Sequence, residues 1–331
     1  MDRYMTASKI SRQFILVLIL FMLASPTLAE IMCTYCGEEI SGEYVISQGN
    51  PYHKLCYDEH IRPYCEICGQ AIEDKYTEKD GNIYHPTCFR DTMLEKCDIC
   101  KQPLTATFYT DYWGNHFHTH HGNEYDECSS CGRLICAELT QGGGRMADGR
   151  PICFLCRQSS VSTQHEIESS LAYIKQQFRL NQIDGFPPEM PITLVDRIKL
   201  RQIATGYREN MQGFTDLNIQ TRNGEVISRS YHIYILTGLP TTMFRAVLAH
   251  EMLHVYLGER DLNPPSDVSE GFCNLGSAMI YKLSDSEFAQ FQLSNMDASK
   301  DPVYGYGYRK MAARLDKLGW RDLLQSIDSI R

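Results

Sequence analysis

Apolar residues from position 164 onward recur at helical spacing, with Ile167, Leu171, Ile174 and Phe178 marking one face. This predicts a helix that Gly185-Phe186-Pro187-Pro188 ends. A short apolar run over 191–195 predicts a strand. Asn223-Gly224 predicts a hairpin turn into a longer strand over 225–236, rich in Tyr, Ile and Val. Gly238-Leu239-Pro240 breaks the chain. Thr241 or Thr242 can then cap a helix that runs to Leu257, with Gly258 placed to stop it. After the Asn263-Pro264-Pro265 turn, Asp267 is the expected N-cap of a second helix over 268–282. Residues 304–308, with glycine between the tyrosines, read as a loop.

The first 160 residues follow another pattern. Gly49-Asn50-Pro51-Tyr52, Gly81-Asn82-Ile83-Tyr84, Gly114-Asn115-His116-Phe117 and Gly149-Arg150-Pro151-Ile152 each open a predicted hairpin. Each places an apolar or aromatic residue just before His53, His85, His118 or Cys153. At the N-terminus a ten-residue apolar run, 14–23, follows Arg3, Lys9 and Arg12 and leads to a small-residue site ending at Ala29. That is the layout of an export signal over residues 1–29, too short for a permanent membrane span. No stable membrane insertion is expected after cleavage.

A length of 331 residues suggests two or three domains. The formal charge of −9 argues against a nucleic-acid partner, which would require a basic footprint. Fourteen cysteines in an exported chain would ordinarily mean disulfides, but their spacing means metal. Four sets stand in succession: Cys33, Cys36, His53, Cys56; Cys65, Cys68, His85, Cys88; Cys97, Cys100, His118, His121; and Cys128, Cys131, Cys153, Cys156. Two ligands separated by two residues form a tight turn aimed at one ion, and a second such pair completes a tetrahedron. Histidine, which has no part in a disulfide, recurs at matching positions. The alignment makes His118 and His121 ligands and leaves out His116 and His120. Such sites are structural, replacing a core that a thirty-residue unit is too small to build. Cys136 and Cys273 are left over as buried small hydrophobes.

These sets resemble LIM domains over residues 33–156. They depart from them in their longer joints: eight residues separate Cys56 from Cys65 and Cys88 from Cys97, and six separate His121 from Cys128. The resemblance implies protein-binding modules, used for substrate capture or self-inhibition. Together with the export-like start, it gives the expectation of a bacterial protein, periplasmic or secreted.

His250-Glu251-Met252-Leu253-His254 lies well inside the predicted 241–257 helix. Residues four apart stack on one helix face, so His250 and His254 can share a zinc ion, while Glu251 is turned to take a proton from water. A hydrolytic site needs a third ligand and an open position. No histidine follows residue 254, so the third ligand must be an acid: Glu259, Asp261, Asp267 or Glu270, of which Glu270 is best placed across the Pro264-Pro265 turn. Asn274 can hydrogen-bond a ligand histidine. Tyr304, Tyr306, Tyr308 and His232 are candidate oxyanion donors, with Tyr304 first. The strand 230–236 can pair with an extended substrate.

The stretch 236–257, then Asp267-Val268-Ser269-Glu270-Gly271-Phe272-Cys273 and Asp301-Pro302-Val303-Tyr304-Gly305, resembles the peptidase region of the plant organ-size regulators called "DA-one". That family also carries LIM modules ahead of its peptidase. The resemblance implies a gluzincin-type zinc endopeptidase with His250, His254 and Glu270 as ligands, Glu251 as base, and a protein or peptide substrate. Ubiquitin control is not carried over, because no acidic ubiquitin-interacting helix is found. The expected architecture is a β-rich array of LIM-like knuckles (30–92 and 93–160) followed by an α+β zincin-like domain (161–331), with one catalytic and about four structural zinc ions. The alternatives are a noncatalytic zinc scaffold and a disulfide-stapled binding protein. Oligomeric state is left open.

Overall fold

The computed structural model describes residues 30–223 and 225–330, together with the backbone of 12–14. The export-signal reading of 1–29 and the Gly224 half of the predicted turn therefore lie outside the described residues. The chain is α+β with small sheets. It divides into two compact units, residues 1–110 with 115–119, and residues 111–114 with 120–331. Among the described residues, no helix is long and apolar enough to cross a membrane.

The first unit is built from predicted hairpins: Tyr44–Ser47 with Asn50–His53, Lys75–Lys79 with Asn82–Tyr84, and Phe108–Thr110 with His116–His118. Two of the turns take the left-handed backbone that tight hairpins require, at Gln48 and Gly49 and at Asp80 and Gly81. Each knuckle buries very little. Cys33, Ile40, Val45, Tyr52 and Tyr57 form one cluster, and Cys65, Ile72, Tyr76, Tyr84 and Phe89 another. Cores of this size do not hold a fold by hydrophobic burial alone.

The second unit has one extended core. It contains α1 (Gln164–Leu180), β1 (Ile192–Val195), α2 (Arg197–Ile203), β2 (Gly213–Arg222), β3 (Glu225–Leu236), α3 (Thr241–Glu259), α4 (Ser266–Lys282), α5 (Glu287–Ala298) and α6 (Tyr304–Ser326). Thr163 and Glu166 close a capping box at the start of α1, whose Ile167, Ile174 and Phe178 are buried as the spacing predicts. The sheet runs β1-β3-β2, with β1 parallel and β2 antiparallel to β3. Helix α3 runs through the middle of the unit and is buried on most of its surface: Ala246, Leu248, Met252 and Val255 are inaccessible.

Several boundaries differ from the sequence expectation for physical reasons. Pro240 precedes α3 with no side-chain cap, and the Thr241 hydroxyl donates to Ser159 O (2.9 Å) instead. Gly258 does not stop α3. It leaves room for Tyr231, whose hydroxyl would lie 2.9 Å from an added Cβ. Helix α4 begins at Ser266, so Asp267 sits in its first turn, where it accepts a hydrogen bond from Lys310 Nζ at 2.7 Å. Residues 304–308 form the first turns of α6, not a loop. Strand β2 is implied by the predicted hairpin turn, but its bounds and helices α2 and α5 are not marked by any apolar pattern in the sequence.

Candidate metal centres and hydrolytic cleft

In the first unit, the ligand sets of the first two knuckles converge, each set lying within 4.8 Å. Cys36 Sγ is 3.4 Å from His53 Nδ1, Cys68 Sγ 3.3 Å from His85 Nδ1, and Cys100 Sγ 3.4 Å from His118 Nδ1. Each of these histidines turns Nε2 toward a backbone carbonyl, of Glu39, Ala71 or Pro103, at 3.2–3.3 Å. That orientation leaves Nδ1 for a metal. Burial opposes the Cys33 and Cys65 thiolates, but backbone N–H donors outweigh it and bring both thiols down to about 6. His121, the last member of the third set, belongs to the second unit, where its Nδ1 lies 2.7 Å from Glu124 Oε2.

The fourth set, Cys128, Cys131, Cys153 and Cys156, is fully buried, and Cys131 and Cys153 Sγ are 3.8 Å apart. Sulfurs about 2.3 Å from a shared tetrahedral zinc stand about 3.8 Å apart, whereas a disulfide would require about 2.05 Å. All fourteen cysteines are free thiols. These clusters therefore fit zinc rather than disulfide staples.

Within the same unit, α3 and α4 build another donor set. His250 and His254 Nε2 are 3.2 Å apart, and Glu270 Oε2 lies 3.3 Å and 3.6 Å from them. Donors about 2.1 Å from a tetrahedral zinc are about 3.4 Å apart, so the three atoms fit one ion. Glu270 Oε2 is buried without a hydrogen-bond partner, as expected for an oxygen meant for a cation. Burial opposes its charge, yet the imidazoles of His250 and His254 hold the carboxyl well below the usual range. The competing acids are engaged elsewhere: Asp261 with Arg229 (3.0 Å), Asp267 with Lys310, and Glu259 beside Tyr231. Asn274, one turn beyond Glu270, lies 3.0 Å from His250 Nδ1 through Oδ1 and donates through Nδ2 to Tyr304 O (3.1 Å). Cys273 is fully buried, as a small hydrophobe would be, but its sulfur also falls within 4.8 Å of a ring nitrogen of His250 and of His254. Cys273 stands in no Cys/His pair whose spacing would signal that proximity.

The set opens into a cleft of about 820 Å³ lined by residues of β2, α3, α4, α5 and the start of α6. Glu251 lines it and is 5% exposed. Among the oxyanion candidates, Tyr304 lines the cleft. Burial and the Glu270 carboxylate push its phenol up to about 12, which keeps it protonated. Tyr306 is exposed and Tyr308 is buried in the core. His232 contacts Thr193 Oγ1 (2.8 Å) and stacks on Tyr234, outside the cleft lining.

The DA1-like family profile, described as Protein DA1, matches residues 189–283. Protein DA1-related 2 of Arabidopsis thaliana is 25% identical over 89% of this chain and 63% of its own length. Protein DA1 of the same plant is 24% identical over 63% of this chain and 49% of its own length, and Protein DA1-related 1 is 24% identical over 89% and 60%. The chain thus spans less than two thirds of these relatives. The expectation of an exported, bacterial protein is corrected by these matches, which are to plant proteins. The signal behind it, ten apolar residues after a basic start, is short and physically generic. The chain resembles the DA1-like proteins, and the matched stretch 189–283 contains His250, Glu251, His254 and Glu270 together.

Proposed function

We propose that this chain is a zinc-dependent endopeptidase whose LIM-like zinc modules bind or regulate its protein substrates. The observation that carries this reading is the convergence of His250, His254 and Glu270 beside a buried carboxylate, Glu251, in one cleft. Zinc, when bound there, supplies a Lewis acid that acidifies water and polarises a scissile carbonyl. Glu251 accepts the water's proton and delivers it to the leaving amine. Tyr304, protonated at the cleft wall, donates a hydrogen bond to the developing oxyanion. Asn274 fixes the ring of His250 and ties it to the backbone that carries Tyr304, so ligand and donor are held by one bridge.

Replacing Glu251 by Gln tests the reading. The variant keeps the metal ligands and the side-chain volume but loses the base. On labelled casein it is expected to cleave at least about 100-fold more slowly than wild type, with unchanged zinc content. Equal cleavage by both would remove Glu251 from the mechanism. Cleavage by neither, with the His250 site loaded with zinc, would favour the noncatalytic scaffold.

A further inference from the structure

Glu251 is held from outside its own helix. Thr215 Oγ1 on β2 lies 2.7 Å from Glu251 Oε2, and 3.1 Å from the Glu251 backbone carbonyl. Two residues earlier, a Cβ on Gly213 would fall 2.6 Å from Glu251 Oε1 and 2.7 Å from Val247 Cγ1. Strand side chains alternate, so positions 213 and 215 face the same way, here toward α3. One position supplies a hydroxyl and the other supplies space.

The register of β2 makes this arrangement specific. Gly213 pairs with Ile235 and Thr215 with Ile233, and both isoleucines are fully buried. A one-residue slip of β2 against β3 would turn Thr215 away from α3 while Ile233 and Ile235 stayed in the core. From this geometry we infer that Thr215 is a positioning residue for the base, with Gly213 as the gap that admits its carboxylate. The Thr215 hydroxyl donates to Oε2 and fixes the carboxylate plane. The carboxylate is thereby held in one orientation for taking the proton from water. A carboxylate free to rotate would spend much of its time in unproductive orientations, and a hydrogen bond to a charged group is strong enough to prevent that. The inference rests on the peptidase reading and deepens it.

Thr215→Val keeps the branched shape and removes the donor, and Thr215→Ser keeps the donor. Initial rates on a synthetic peptide that spans a casein bond cut by the wild type give kcat and KM for each full-length variant, alongside zinc content and the thermal midpoint. Thr215→Val is expected to lower kcat by roughly 10-fold or more, with KM within about twofold and zinc unchanged. Thr215→Ser is expected to recover kcat to within about threefold of wild type. A Thr215→Val kcat equal to wild type would overturn the inference while leaving the peptidase reading standing. So would a loss confined to KM, which would make Thr215 a substrate contact, or a Ser variant as impaired as Val. A wild-type chain that cleaves nothing would overturn the peptidase reading and this inference together.

Discussion

Glu270 sets a buried acceptor oxygen where no hydrogen bond satisfies it. Its Oε2 is buried, lies between two imidazole nitrogens and has no hydrogen-bond partner. An ionised carboxylate in such a place needs a cation. Glu270→Ala should therefore lower the zinc content of the purified chain by about one ion and leave the Cys/His sites loaded. Full zinc content in that variant, by elemental mass spectrometry, would place the third ligand elsewhere. His250, Glu251 and His254 are legible in the sequence because helical spacing alone brings them together. Glu270 follows from the need for an acid and the short Pro264-Pro265 turn. Thr215 and Gly213 are not legible. The contact of Thr215 with Glu251 spans 36 residues, that of Gly213 is longer, and both depend on strand register; β2 beyond Thr215 is exposed, so no alternation marks its buried face. Cys273 carries one signal for two environments, core and metal site, and composition favours the first.

At the scale of elements, glycine explains where sequence reasoning misjudged α6. Gly305 and Gly307 look like loop residues, but they are interface residues of a helix. An added Cβ on Gly307 would lie 2.1 Å from Asp267 O, one on Gly271 would lie 2.2 Å from Gly307 O, and one on Gly305 would lie 2.4 Å from Ser299 O. Helices α4 and α6 approach backbone to backbone, and this brings Tyr304 up to Asn274. Sequence shows the glycines but not which backbone each faces. Gly307→Ala should force the helices apart and cost about 1–3 kcal/mol, lowering the thermal midpoint by several degrees. Gly144→Ala, with its nearest heavy atom at 3.8 Å, should stay within about 0.5 kcal/mol of wild type. Equal midpoints for the two variants would mean that α6 yields without cost. The longer elements α1, β3, α3 and α4 were legible because burial on one face or most of the surface dictates their apolar pattern. Strand β2 and the short helices α2 and α5 lack such a pattern.

On the scale of the whole molecule, the four cysteine sets read alike in sequence but differ in setting. The fourth is part of the unit that holds the cleft. Ser160 bridges to Pro240 at the start of α3, and Val161 N donates to Leu239 O (3.1 Å). Gln292 of α5, which lines the cleft, donates to Ser130 O between two of the cysteines (2.7 Å). Arg150 pairs with Asp148 at 2.9 Å, both nearly inaccessible, and also donates to Thr237 O (2.8 Å), while Asp148 accepts from Arg197 N (2.9 Å). Burial opposes the charge on Asp148, but the Arg197 N–H and the Arg150 guanidinium outweigh it and depress its pKa below 3.8. Its contribution to stability is thus full above that value and fades as pH falls through the lower folded one. Arg150→Met leaves the Asp148 charge buried without its partner. It should cost about 3–5 kcal/mol at neutral pH, and the deficit should shrink in acid as Asp148 protonates. A midpoint unchanged at neutral pH would show that this buried pair does not tie the fourth set to the cleft.

The same contrast predicts an order of metal loss. Cys36 and Cys68 are exposed, whereas Cys128, Cys131, Cys153 and Cys156 are all buried. A chelator and an alkylating agent reach a thiolate only when its ligand set opens, and opening costs least where few apolar contacts must break. All three clusters have five buried residues, but the partly buried neighbours of the first two come from their own knuckles, whereas the fourth set packs against Trp113 and Phe288, which lie outside its own hairpin in the same unit. With a chelator and iodoacetamide present under native conditions, Cys36 and Cys68 should be modified first. The fourth set should resist until the second unit unfolds. Mass spectrometry of timed digests reads the order directly. Simultaneous labelling of all these cysteines would mean that the fourth set opens as readily as the hairpins of the first unit. The packing around it would then have no part in holding the wall of the cleft.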